Sequence, residues 1–316
     1  MGIFVSCWLL LNCEGSPTEP GYFGSGIVLS NVHNEDGFWI LSPKDGSTVF
    51  RFSTGGPPIN SNLGVFEKYG EIVLEDRASV RAFNTRGEKK WEISYGEGQP
   101  VSFLWLEQNG DSFWWWGPEH EGNNLYRFKR VNKDPLMETN CFQPSAGAIH
   151  PQGGALWLAS EYEKKIVTIS TEGRILREVK LDNRPYDIKI DSEGNVWIPF
   201  QAILAKYDAD FKELFSVRFS DQLNVKRIVI DKKDNSCWAV AGNSTEKFSR
   251  TGKKIFYKNG LGRGAGSVVP GVVYEGDQSF WLLNHEANTL RKISKNGEEL
   301  YKINTDAALI EAFGGE

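Results

Sequence analysis

Three of the chain's four histidines stand beside carboxylates or amides in short polar segments: His33 in Asn31-Val32-His33-Asn34-Glu35-Asp36, His120 in Glu119-His120-Glu121, and His285 in Asn284-His285-Glu286. Imidazole and carboxylate are common ligands of a divalent ion that polarises a carbonyl or activates water, so His33, His120 and His285, with Glu119 or Glu161, define one candidate metal site. The other reading is that they are solvated loop residues. His150, in Ile149-His150-Pro151-Gln152-Gly153-Gly154, reads as a turn residue. The run Phe113-Trp114-Trp115-Trp116 could form an aromatic platform for a carbohydrate. Strand alternation sends Trp115 to one face and its two neighbours to the other, so core filling on both faces is expected instead. Arg263-Gly264-Ala265-Gly266 lacks the strand-to-helix setting of a phosphate loop and reads as part of a connection over 260–271. Neither a Gly-x-Ser-x-Gly elbow nor a His-Glu-x-x-His helix is present.

Positioning these residues requires a scaffold, and the chain spells one out by repetition. One copy of the unit reads Tyr186-Asp187-Ile188-Lys189-Ile190, a turn Asp191-Ser192-Glu193-Gly194-Asn195, then Val196-Trp197-Ile198. Another contains Ile166-Val167-Thr168-Ile169-Ser170, a turn Thr171-Glu172-Gly173, then Arg174 to Val179. Alternating apolar residues between Gly/Asn/Asp turns are the period-two signal of half-buried strands. Second-strand anchors at Val28, Val73, Trp115, Trp157, Trp197, Trp238 and Trp281 recur about every 40 to 45 residues. The last turn of each unit gives a second ruler, at Gly46, Gly87, Asp134, Gly173, Phe211, Gly252 and Gly297. Glycine suits a hairpin needing positive φ; Phe211 departs from the pattern and implies another turn type. Both rulers count seven units.

A four-stranded antiparallel unit cannot bury both faces alone, so seven copies must pack around an axis as an all-β, seven-bladed β-propeller. Gly26 to Ser30 matches the second strand Glu71 to Glu75, so blade one begins without its innermost strand. The tail Ala307 to Gly315 matches an innermost strand and its turn, and is expected to supply it.

Leu156 to Glu161 with Lys165 to Ile169, and Pro185 to Ile198, resemble NHL-type repeats and the related virginiamycin B lyase propellers over about residues 25–315. The resemblance is specific for architecture, since these folds host enzymes, ligand binders and scaffolds alike. Loops joining second to third strands share the channel-mouth face with the inter-blade connections. There the census gives Asn31 and His33 in blade one, Glu75, Asp76 and Arg77 in two, Glu119 and His120 in three, Glu161 in four, Gln201 in five, Asn243 in six, and Asn284 and His285 in seven. The lyase resemblance implies a metal held by His and Glu near the channel. Against this, blade three lies two blades from blade one, while one and seven adjoin.

With 316 residues, 40% hydrophobic and 24% charged, the chain is globular in composition. A net charge of -5 and the lack of a basic stripe argue against nucleic acid as a partner. Residues 1–13 read as a signal or lipobox-like leader ending Leu10-Leu11-Asn12-Cys13, and 14–24 as a tether before a propeller over 25–316. The resemblance to bacterial lipoproteins implies acylation of Cys13, the only membrane contact expected; a truncated signal peptide is the alternative. Cys141 and Cys237 fall in non-neighbouring units and read as apolar side chains without a disulfide. The leading expectation is an exported, periplasmic or cell-envelope scaffold holding a protein, peptide or glycan at the channel mouth, with no cofactor. The alternative is a metal-dependent lyase or hydrolase.

Overall fold

A computed structural model of the chain describes residues 25–30, 37–53, 62–75, 79–94, 103–107, 111–119, 122–132, 134–220, 225–241, 244–261, 271–284, 287–305 and 309–314. The leader with Cys13, the tether and the segment Arg263 to Gly266 lie outside the described residues.

The alternating segments form seven four-stranded antiparallel sheets. Blade one holds Ser25–Ser30, Gly37–Leu41 and Thr48–Ser53. Blade two runs Leu63–Phe66, Glu71–Glu75, Ser79–Asn84 and Lys89–Ser94, with a 3-10 turn at Glu67–Tyr69. Blade three comprises Phe103–Leu106, Ser112–Glu119, Gly122–Lys129 and Pro135–Asn140; blade four, Ala146–Ile149, Leu156–Ser160, Lys165–Ile169 and Ile175–Lys180. Blade five is Lys189–Ile190, Val196–Pro199, Ile203–Tyr207 and Glu213–Arg218; blade six, Val225–Asp231, Ser236–Ala241, Ser244–Phe248 and Lys254–Asn259. Blade seven is Gly271–Tyr274, Ser279–Asn284, Thr289–Ile293 and Glu299–Asn304.

The tail strand Leu309–Gly314 pairs with Ser25–Ser30, from Ser30 opposite Leu309 to Ser25 opposite Gly314. It is the inner strand of blade one, as the tail sequence predicts. Inner strands contact one another around the whole circuit, blade seven meeting the tail strand and the tail strand meeting blade two. Breaking the ring there would cost a ladder of backbone hydrogen bonds as well as apolar packing.

Each blade presents its second-strand anchor to the next blade. Trp157, Trp197, Trp238 and Trp281 are buried in clusters shared with the following blade. Blade three corrects the sequence ruler by one residue. Trp114 pairs with Arg127 as Trp197 pairs with Lys206, and Trp114 with Trp116 faces blade four. Trp115 and Phe113 face back to blade two. The run is therefore core on both faces.

The last turn also differs from expectation at one blade. Gly173 has φ +82° and its N–H bonds Ser170 O at 2.9 Å; Phe211 has φ +63° and its N–H bonds Asp208 O at 2.9 Å. Phe211 thus occupies the same turn type, not another. The reason lies next door. A Cβ on Gly173 or Gly252 would stand 2.6 or 2.7 Å from Met137 or Phe215 of the preceding blade. In blade four the matching fourth-strand residue is Arg177, which instead donates to Ala209 O and Asp210 Oδ1. The Phe211 ring stacks on Tyr207 at 4.5 Å.

Arg177 is one form of a contact that recurs. Lys206, Lys247 and Lys292 are buried third-strand residues lying over Trp197, Trp238 and Trp281. Each donates to a carbonyl in the last turn of the next blade: Arg250 O, Lys295 O and Pro43 O. Each is also paired with a carboxylate of its own first turn, Lys206 with Asp191 at 2.8 Å, Lys247 with Asp231 at 3.8 Å and Lys292 with Asp277 at 2.6 Å. Arg127 does the same in blade three, between Glu107 and Thr171 O. These seams commit the face that carries the first-to-second and third-to-fourth strand hairpins to holding the ring together.

Candidate functional site

Successive turns of an antiparallel meander alternate between the two ends of a blade, so second-to-third-strand loops and inter-blade connections share the end opposite these seams. Of the predicted residues there, Asn31, His33, Asp76, Arg77, His120, Asn243 and His285 lie outside the described residues. Glu119 ends the second strand of blade three. The proposed triad of His33, His120 and His285 thus lies outside the described residues. Among the described residues, no group of three His, Cys, Asp or Glu side chains is placed to hold a metal ion.

The remaining predicted residues have distinct environments. Glu75 is buried and accepts a bond from Asn62 Nδ2 at 2.7 Å. Asn284 is buried and structural: its Oδ1 accepts the Ala287 N–H at 3.0 Å and its Nδ2 donates to Leu261 O. Glu161 faces Arg184 at 3.9 Å, and its N–H bonds Ser145 Oγ. Gln201 is exposed. His150 is the turn residue expected: its N–H bonds Ala155 O as that of Asp191 bonds Asn195 O, and burial lowers its pKa. Cys141 and Cys237 are free thiols, and burial pushes Cys141 up to about 12, leaving it unreactive at neutral pH.

A cluster that the loop census missed sits on the inner strands of blades five and six. Tyr186 to Ile190 alternates, Ile188 and Ile190 packing toward blade four, which leaves Asp187 and Lys189 on the side facing blade six. Asp187 is fully buried and accepts the N–H of Ile188 at 2.9 Å and, across the seam, that of Ile228 at 3.0 Å. The Ile188 N–H is turned to this carboxylate, and the inner strand spans only Lys189–Ile190. Lys189 Nζ donates to Asp187 Oδ1 at 3.2 Å, and Arg227 lies 3.9 Å from the same oxygen. Lys189 and Arg227 remain 37% and 42% exposed at the side chain, while Asp187 has no exposure. One buried carboxylate therefore anchors two half-exposed cations. The signal was available: a charged face on an innermost strand must meet the channel or a buried counter-charge.

The inner strand of blade three is apolar. Phe103 and Trp105 of blade three stack at 5.4 Å, and both, with Leu104 and Leu106, are half-buried. Trp105 lies over Gly147, where a Cβ would come within 2.6 Å of its ring, and Leu106 lies over Gly64 in the same way. The glycines make room for side chains that crowd the inner strands.

No protein-family model matches the sequence, and no curated protein matches it. Solved structures do. The fold is similar to virginiamycin B lyase from Staphylococcus aureus, with TM-score 0.59 and 15% identity over 92% of this chain and 88% of that one. It is also similar to BamB from Moraxella catarrhalis, with TM-score 0.54 and 12% identity over 88% of this chain and 87% of that one. These likenesses bear out the seven-bladed architecture and the resemblance read from the repeats.

Proposed function

We propose that the chain is an exported propeller that binds a protein partner through its channel-mouth face, with no chemical step and no cofactor. The observation that carries this reading is the division of labour between the two faces. The hairpin face is occupied by the Lys206, Lys247, Lys292 and Arg127 seams and by turns of nearly uniform build. The mouth face carries connections whose length varies from 305–308 to 260–270, together with exposed or half-exposed Gln201, Arg184, Lys189 and Arg227. A rigid ring presenting variable loops is suited to recognition without a catalytic constellation. In this reading Cys13 is the tethering residue in the cell envelope, and peptides or glycans bind the same face.

The likeness to a lyase supports the second reading, in which His33, His120 and His285 with Glu119 or Glu161 would hold a divalent ion as a Lewis acid. One experiment separates the two. A photo-crosslinking amino acid placed at Gln201 in the producing cell should yield a protein adduct, and one at Asp210 on the hairpin face should not. Absence of the Gln201 adduct, or one tightly held divalent ion per chain that is lost in His33→Ala or His285→Ala, overturns the scaffold reading.

A further inference from the structure

Arg227 and Lys189 reach the inner wall from neighbouring blades, and among the described residues their only charged partner is Asp187. That carboxylate is already engaged by two backbone N–H groups and by Lys189. Arg227, at 3.9 Å, lies beyond hydrogen-bond distance from it, so the guanidinium fork has no acceptor among the described residues. Two cations from neighbouring blades thus face one carboxylate sealed from solvent, in a chain whose net charge is -5. The buried acid hydrogen-bonds Lys189 and draws Arg227 toward it from the next blade, so the two cations stand side by side before a ligand arrives.

We propose that this seam is a carboxylate-binding site that takes an acidic side chain of the protein partner into the channel mouth between blades five and six. The planar fork of Arg227 fits a carboxylate in bidentate fashion, and Lys189 adds a point charge beside it. The site rests on the scaffold reading and names the chemistry of its partner.

The test uses the full chain and a fluorescein-labelled hexaglutamate peptide, with hexaglutamine as its uncharged counterpart, followed by fluorescence anisotropy at low and physiological salt. Hexaglutamate should bind, more weakly as salt rises, and hexaglutamine should not. Arg227→Gln should weaken binding by about tenfold, roughly 1.4 kcal/mol. Should removal of a cation unsettle Asp187, the triple variant Asp187→Asn, Lys189→Gln, Arg227→Gln removes acid and bases together and should show the same loss. Lys89→Gln with Lys90→Gln, on the outer strand of blade two, should bind as the parent does. The inference is overturned by a parent that does not bind hexaglutamate, by Arg227→Gln binding unchanged, or by inorganic phosphate displacing the peptide at lower concentration than glutamate does, which would assign the site to a free anion. A Gln201 adduct without hexaglutamate binding sinks this site and spares the scaffold. Arg227-dependent hexaglutamate binding without the adduct does the reverse.

Discussion

Phe211 shows how a single residue can violate a turn rule and remain folded. At φ +63° an L side chain carries a steric penalty of about 1–2 kcal/mol that glycine does not. The neighbouring blade supplies Arg177 instead of an aromatic ring over the turn, and Tyr207 supplies a stacking partner at 4.5 Å. Both Phe211→Ala and Phe211→Gly lose the stack, but only alanine keeps the strain. The glycine variant is therefore expected to be more stable than the alanine variant by about 1 kcal/mol in denaturant midpoints. Equal midpoints would mean the turn relaxes to another conformation. Sequence reading recognised Phe211 as an exception and mistook its meaning, because the residue that makes the exception tolerable is thirty-odd positions away on another blade.

At the scale of the element, the third strand of each blade does more than complete a sheet. Lys206 and Lys247 occupy equivalent positions, yet their carboxylate partners titrate in opposite directions. For Asp191, burial would raise the pKa, but bonds from Lys206, Asn195 and Trp197 outweigh it and hold the group below 3.8. For Asp231, burial, reinforced by Asp234, pushes it above 3.8, and Lys247 is too far to compensate at 3.8 Å. The signs follow by linkage. The stabilisation from Asp191 is complete above the unfolded value of 3.8 and is lost as pH falls through its lower folded value. For Asp231, stability is lost as pH rises from 3.8 through its higher folded value. Asp191→Asn should thus lower the denaturant midpoint at pH 7, with the deficit shrinking below about pH 4, whereas Asp231→Asn should leave it unchanged or raise it. Midpoints moving in the same direction would show that the two seams are electrostatically alike. None of this was visible in the strand pattern, which marks those lysines only as polar residues on a third strand.

At the scale of the whole molecule, closure depends on the tail. Truncation after Thr305 removes the strand that pairs with Ser25–Ser30 and exposes the inner edge of blade one, including Ile27 and Leu29, which are fully buried in the ring. The truncated chain is expected to lose cooperative unfolding followed by tryptophan fluorescence, and to be cleaved by protease under conditions that leave the full chain intact. A truncated chain as cooperative and resistant as the parent would show that apolar packing alone holds the circle.

Residue order by itself determined the all-β class, the count of seven and the supply of the missing strand by the tail. Each follows from local periodicity and repetition, which are properties of neighbouring residues. The Trp114 anchor was off by one because three adjacent tryptophans satisfy the same local pattern, and only the pairing with Arg127 chooses among them. The charged face of Asp187 and Lys189 is legible in the alternation of Tyr186 to Ile190, but its meeting with Arg227 was decided by tertiary structure. Arg227 comes from the repeat after that of Asp187 and Lys189, and their meeting depends on how the two blades pack together. Local sequence sets what each strand is; the distance between side chains on separate strands is set by packing, and the proposed carboxylate site exists only at that distance.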